Sequence, residues 1–93
     1  MKIEWLPAAE DNLEDQLSYI AERNPSAAIE VGDAIDVAVA RLVDFPEIAR
    51  PGRVRGTREL VVAGTSYIVV YRVEPAAVVI LRVLHGGQNW PPD

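Results

Sequence analysis

The sequence contains no cysteine, so it offers no disulfide framework, no thiolate metal site and no thiol nucleophile. Its single histidine, His85, is too few for the imidazole sets that hold zinc. No apolar run approaches the roughly 20 residues needed to span a bilayer. The opening Met1-Lys2-Ile3-Glu4-Trp5-Leu6-Pro7 lacks the basic stretch and apolar stretch of a secretory signal. A cytoplasmic chain without cofactor or metal is the simplest expectation. At 93 residues, 49% hydrophobic and 25% charged, it is expected to form one domain over 1–93. A domain of this size buries only about 60–65% of its unfolded surface.

What is present is unevenly distributed. The net charge is −5. Residues 1–47 carry eleven acids against Lys2, Arg23 and Arg41, a balance of −8. Residues 48–93 carry Arg50, Arg53, Arg55, Arg58, Arg72 and Arg82 against Glu59, Glu74 and Asp93, a balance of +3. The bases of the second half are all arginine, whose planar fork suits carboxylates and phosphates, so a partner on that side is one expectation. The other is that the arginines pair with the acidic helix faces of the first half.

Lys2 to Trp5 reads as a short strand ended by Pro7. From Ala8 the apolar residues Ala9, Leu13, Leu17, Ile20 and Ala21 fall at helical spacing, with Glu10, Asp11, Glu14 and Asp15 in the early turns where the helix dipole favours acids. Asn24-Pro25 stops this helix and starts another, because asparagine caps well and proline suits the first helical position. The second helix carries Ala28, Val31, Ile35, Val39 and Leu42 on one stripe and ends near Phe45-Pro46. Ile48 to Gly56 reads as an irregular connection. Glu59–Ala63, Tyr67–Val73 and Val78–Leu84 are β-branched and aromatic runs separated by Gly64-Thr65-Ser66 and Glu74-Pro75-Ala76, the pattern of an antiparallel meander. The tail from Gly86 through Trp90 to Pro92 has no period and reads as coil. The fold class is therefore α+β, in the order β-α-α-β-β-β, with a helical hairpin packed on one face of the sheet.

Alternation along the last two strands bears on function. Tyr67, Val69, Tyr71 and Val73 share one face of their strand, and Ile68, Val70 and Arg72 the other. The last strand places Val79, Leu81 and Val83 against Val78, Ile80 and Leu84, apolar on both sides. Two helices cover one face only. The favoured expectation is that the second apolar face stays open for a partner. The alternative is that the preceding loop and the Trp90 tail fold back over it.

The second half carries a recognisable pattern. Gly52-Arg53-Val54-Arg55-Gly56-Thr57-Arg58-Glu59-Leu60-Val61-Val62 leads into Tyr67-Ile68-Val69-Val70-Tyr71-Arg72-Val73, then Ile80-Leu81-Arg82-Val83-Leu84-His85-Gly86. Upstream, Tyr19-Ile20-Ala21 and Asn24-Pro25-Ser26-Ala27-Ala28 form a helix–Asn-Pro–helix junction. Across nearly its whole length the chain resembles the RelE/ParE superfamily of type II toxins. The resemblance implies the β-α-α-β-β-β fold, growth arrest by the free chain, a link to plasmid stabilisation, and neutralisation by a cognate antitoxin in a higher-order heteromer. Such antitoxins dock as amphipathic helices or added strands.

The superfamily divides by target. RelE-like members are mRNA interferases, ribosome-dependent endoribonucleases that need a general base, a general acid and cationic stabilisation of the phosphorane. Ile68 stands where that branch commonly has arginine, and only His85 among the residues just after the last strand could move a proton. The nuclease reading would use His85, Arg82, Arg58 and Arg55. Arg82 lies at the wrong parity to share a face with His85 unless the strand twists or ends between them. A net acidic chain is also poorly matched to a polyanionic ribosomal site. The ParE-like reading, a DNA gyrase inhibitor without a catalytic set, explains more of the sequence and is favoured; a degenerate, non-toxic antitoxin-binding module is a third reading. Contacts with antitoxin or target are expected from Arg53, Arg55, Arg58, Tyr67, Tyr71, Arg82, His85 and Trp90.

Overall fold

The protein is described by a computed structural model over residues 1–92. Its elements run β1 (Lys2–Trp5), α1 (Pro7–Arg23), α2 (Pro25–Ala40), a 3₁₀ turn (Arg41–Val43), β2 (Arg50–Pro51), β3 (Arg58–Val61), β4 (Tyr67–Val73) and β5 (Ala77–His85). The sheet order is β1-β5-β4-β3-β2. The meander β3-β4-β5 is antiparallel. β1 lies parallel to β5, with Lys2 opposite Ala77 and Trp5 opposite Ile80, so the sheet is mixed. The stretch read as irregular contains the two-residue strand β2, paired to Glu59 and Arg58.

One residue makes the helical hairpin. Asn24 is extended, at φ −153° and ψ 92°. Its N–H donates to the Ile20 carbonyl at 2.8 Å, closing α1, while its Oδ1 accepts from the Ala27 N–H at 3.1 Å, opening α2. Removing such a cap typically costs about 1 kcal/mol.

The hairpin covers one face of the sheet. Ala9 of α1, Ile35 and Val39 of α2, and Leu42 of the 3₁₀ turn form a core with Val69, Tyr71, Val78, Ile80 and Val83, joined by the half-buried Ile3 and Trp5 of β1. Each fully buried Ile, Leu or Val side chain contributes on the order of 1.5–3 kcal/mol. Tyr67, Val69 and Tyr71 share this face, as the alternation implies.

The alternation in β5 breaks in the middle. Val70 pairs with Arg82, but Tyr71 pairs with Ile80, so Leu81 is an extra residue on its strand. This bulge changes the phase: Val78 and Ile80 face the helices before it and Val83 after it, while Leu81 and Leu84 pack on the other side. The grouping of Val79, Leu81 and Val83 against Val78, Ile80 and Leu84 is thus corrected by one inserted residue. Asn12 of α1 reaches the disrupted ladder and accepts from the Val83 N–H at 3.4 Å.

The second apolar face is not open. Ile68, Val70 and Leu84 are buried, with Leu81 and Trp90 packed against them. The tail folds back across the sheet, so the favoured expectation of an uncovered face is overturned by the chain's own indole ring. No helix among the described residues is long and apolar enough to cross a membrane.

Candidate functional site

An exposed apolar surface lies at the side of the sheet. β3 is paired to β4 along its length, but β2 covers only Arg58 and Glu59. The Val62 N–H donates to the Tyr67 carbonyl, so the neighbouring backbone groups of Val61 and Ala63 point to the free edge. Beside that edge runs a groove of about 350 Å³, walled by Ala34, Val37 and Ala38 of α2, Leu60, Val61 and Ala63 of the β3 segment, and Ile48 of the connecting loop. Asp33 and Arg41 stand at its two ends, eight residues apart and therefore about 12 Å along the helix axis. Val37 is 65% exposed, Val61 55% and Ile48 45%, and Phe45, on the adjacent loop, is 60% exposed. Large apolar side chains held this open beside an unpaired strand edge suit the docking of an amphipathic segment.

This groove escaped the reading of the sequence. A signal existed: Ile29 and Val37 lie off the Ala28–Val31–Ile35–Val39–Leu42 stripe, leaving α2 with apolar residues on a second face.

The arginines are arranged differently. Glu59 projects from β3 to the helix-free side, where it is 1% exposed. It accepts from the Arg53 backbone N–H at 2.7 Å, from Arg53 Nε at 3.1 and 3.2 Å, and from Arg53 Nη2 at 3.1 Å, with Arg50 Nη2 at 3.4 Å. Burial alone would raise the Glu59 pKa, but the hydrogen bonds and charge of Arg53, aided by Arg50, outweigh it and hold the carboxyl below its ordinary value. The Arg53 loop closes through the Gly52 N–H bond to the Thr57 carbonyl at 2.7 Å; a Cβ at Gly52 would collide with Thr57 Oγ1. Arg58 donates to the carbonyls of Glu47 and Ala49 at 3.2 and 2.8 Å, fastening the loop after α2. Arg72 pairs with Glu74 at 2.6 Å. Arg55 is exposed at the tip of the turn. The acidic helices are not the partners of these arginines: Glu59, Glu74 and backbone carbonyls are.

The tyrosines expected as contacts point inward. Tyr71 is fully buried; its hydroxyl donates to the Pro46 carbonyl at 2.7 Å and accepts from the Ala49 N–H at 3.4 Å. Tyr67 is buried and donates to Gln16 Oε1 at 3.3 Å. Burial raises the pKa of both phenols, and at Tyr71 the Ala49 bond and the Arg58 charge partly offset it. Neither ring is available to a partner at the surface.

His85 is opposite Tyr67, on the helix side of the sheet, and meets its ring edge-on at 5.8 Å. His85 is exposed, and its Nδ1 accepts from the Gly87 N–H at 3.3 Å. Arg82 is on the other side, opposite Val70, donating to the Leu81 carbonyl at 2.6 Å with its guanidinium 5.7 Å from the Trp90 ring. Arg82 and His85 are therefore separated by the sheet, as parity implies. Arg58 points to the loop after α2, and Arg55 lies in the turn. The four residues of the nuclease reading do not converge. No cluster of three metal-ligating side chains occurs among the described residues.

Comparison with known proteins adds four findings. A family model described as the ParE toxin of the type II toxin–antitoxin system parDE matches residues 3–90. A Sinorhizobium fredii (strain NBRC 101917 / NGR234) protein, Y4kP, named as a candidate toxin, is 41% identical over 90 residues, covering 97% of this chain and 93% of its own. Among solved structures, one from a chromosomal ParDE system of P. aeruginosa superposes with a TM-score of 0.82 at 24% identity, covering 91% of this chain and 95% of its own. The toxin–antitoxin complex RelBE2 of Mycobacterium tuberculosis gives 0.61 at 26% identity, covering 90% and 95%.

Proposed function

Because the chain belongs to the ParE toxin family of type II toxin–antitoxin systems, we propose that it arrests growth by binding DNA gyrase and trapping its cleaved-DNA state, and that a cognate antitoxin neutralises it in the groove beside β3. The observation that carries the choice of target is the scattering of the residues that RNA cleavage would need. A general base and acid must both come within hydrogen-bond reach of one reacting group. Here His85 and Arg82 lie on opposite faces of the sheet, and the remaining candidate arginine with a defined role, Arg58, holds a loop. A toxin that works by binding needs no such constellation.

The antitoxin reading draws its support from the groove. An amphipathic helix could lay an apolar face against Val37, Ile48 and Val61, or an extended segment could add a strand at the free edge of β3. Asp33 and Arg41 offer one charge of each sign to fix its direction. The partnership would form in the cytoplasm, as a heteromer.

Pulse-labelling of DNA and protein synthesis in the first minutes after inducing the chain alone tests the target. DNA synthesis is expected to fail first while translation continues. Translation stopping first would favour the ribosome-dependent endoribonuclease, and no arrest at all would leave an antitoxin-binding module. Co-expression of the cognate antitoxin is expected to restore both syntheses.

A further inference from the structure

The second face of the sheet is closed far more loosely than the first. Of the hydrophobic residues gathered there, Ile68, Val70, Leu81 and Leu84 belong to β4 and β5, and only Trp90 comes from elsewhere. We propose that residues 89–92 form a strap that opens just past Gln88, lifting Trp90 off the sheet and uncovering Ile68, Val70, Leu81 and Leu84 as a second, gated apolar face.

Three observations carry this. First, the indole Nε1–H of Trp90 is buried with no hydrogen-bond partner. The half-buried ring packs on Ile68, Val70 and Leu84 with the Arg82 guanidinium 5.7 Å from its centroid, and its N–H meets no acceptor, so the closed state carries a desolvation penalty that opening would relieve. Second, the backbone ties stop short of the ring. The Gly86 N–H is anchored on the Ser66 carbonyl at 2.6 Å and the Gln88 N–H on the His85 carbonyl at 2.9 Å, but no backbone bond fastens the described residues beyond Gln88 to the sheet. Pro91 and Pro92 have no N–H to give. Third, a bonded turn precedes the strap: the Gly87 N–H donates to His85 Nδ1 at 3.3 Å and the His85 N–H to Gln88 Oε1 at 3.3 Å, so residues 85–88 stay with the sheet. The fixed part therefore runs through Gln88, and the free part begins at Asn89. The bulge at Leu81 enlarges what the strap covers, because it turns Leu81 to the same side as Leu84.

The absence of cysteine allows a direct test by thiol labelling. Leu84→Cys places a thiol under the strap, and Val83→Cys places one on the helix-covered face; the two native side chains are both 1% exposed. Ile68→Cys and Val69→Cys form a second neighbouring pair across the same sheet, which keeps the test available if either β5 variant fails to fold. Under native conditions the strap-side thiol of each pair is expected to react at least tenfold faster than its helix-side neighbour, at a rate insensitive to low denaturant. Adding Trp90→Ala is expected to speed the strap-side thiol by a further tenfold or more and leave the helix-side thiol unchanged. Equal rates within both pairs, each rising with denaturant as the whole protein unfolds, would overturn the proposal. So would a Trp90→Ala effect that accelerates both thiols alike.

Discussion

The groove beside β3 and the arginine-bearing side of the sheet are made from equally distinctive residues, yet they are left in opposite states. In the groove, Val37, Ile48 and Val61 stand exposed beside backbone groups that no strand has taken up. On the other side, the conspicuous groups already hold one another: Glu59 is clasped by Arg53 and Arg50, Arg72 by Glu74, and Arg82 lies over Trp90. A charged cluster in a sequence draws attention as a site, but charges that neutralise each other build the fold. Here the surface left unsatisfied, and proposed above to receive the antitoxin, is the apolar one.

The two regions should respond differently to substitution, most of all when charges are placed in the groove. Val37→Asp with Val61→Asp is expected to weaken antitoxin binding on the order of 100-fold or more, because two carboxylates would be desolvated without partners. Both native side chains are more than half exposed, so the melting temperature should barely move. Titration calorimetry with the cognate antitoxin measures the affinity, and an unchanged value would move the docking surface elsewhere.

On the arginine side the corresponding change should act on stability. Glu59→Gln removes the charge that Arg53 and Arg50 hold and is expected to cost about 1–3 kcal/mol, moderated by the solvent exposure of both arginines. Urea unfolding at neutral pH gives the number, and a loss of antitoxin affinity at unchanged stability would assign Glu59 to the interface instead. A smaller effect follows from titration. The folded-state pKa of Glu59 is lowered, so its contribution is full above the unfolded carboxylate pKa and is lost as pH falls through the folded value. Stability should therefore decline in acid, and the Glu59→Gln variant should show a shallower decline. The smallest expectation is no change: His85→Ala should arrest growth as the parent does, whereas loss of toxicity with the fold intact would place His85 in the target contact or in a catalytic site.

Much of the architecture was legible because periodicity is a local signal. Asn24-Pro25 marks the hairpin, and the β4 boundaries Tyr67–Val73 follow from its β-branched run. The bulge was not legible: one extra residue, Leu81, breaks no propensity and shows only when β4 is laid beside β5. The fate of the second apolar face was equally hidden. Whether Trp90 reaches Ile68 and Leu84 depends on the path of an aperiodic tail. Among the expected contact residues, the sequence marked the chemistry of the arginines without revealing that Glu59, a lone acid among Arg50, Arg53, Arg55 and Arg58, is where two of them meet. The β3 edge was hidden for a related reason, since it is created by β2 being only two residues long.

The proposed mode of action is binding to gyrase and not cutting RNA. Purified chain incubated with DNA gyrase, supercoiled plasmid and ATP, then quenched with detergent and protease, tests it most directly alongside translating ribosomes given the same chain. Accumulation of linear plasmid with intact ribosomal mRNA is the expected result. Cleaved mRNA with no linear plasmid would contradict it.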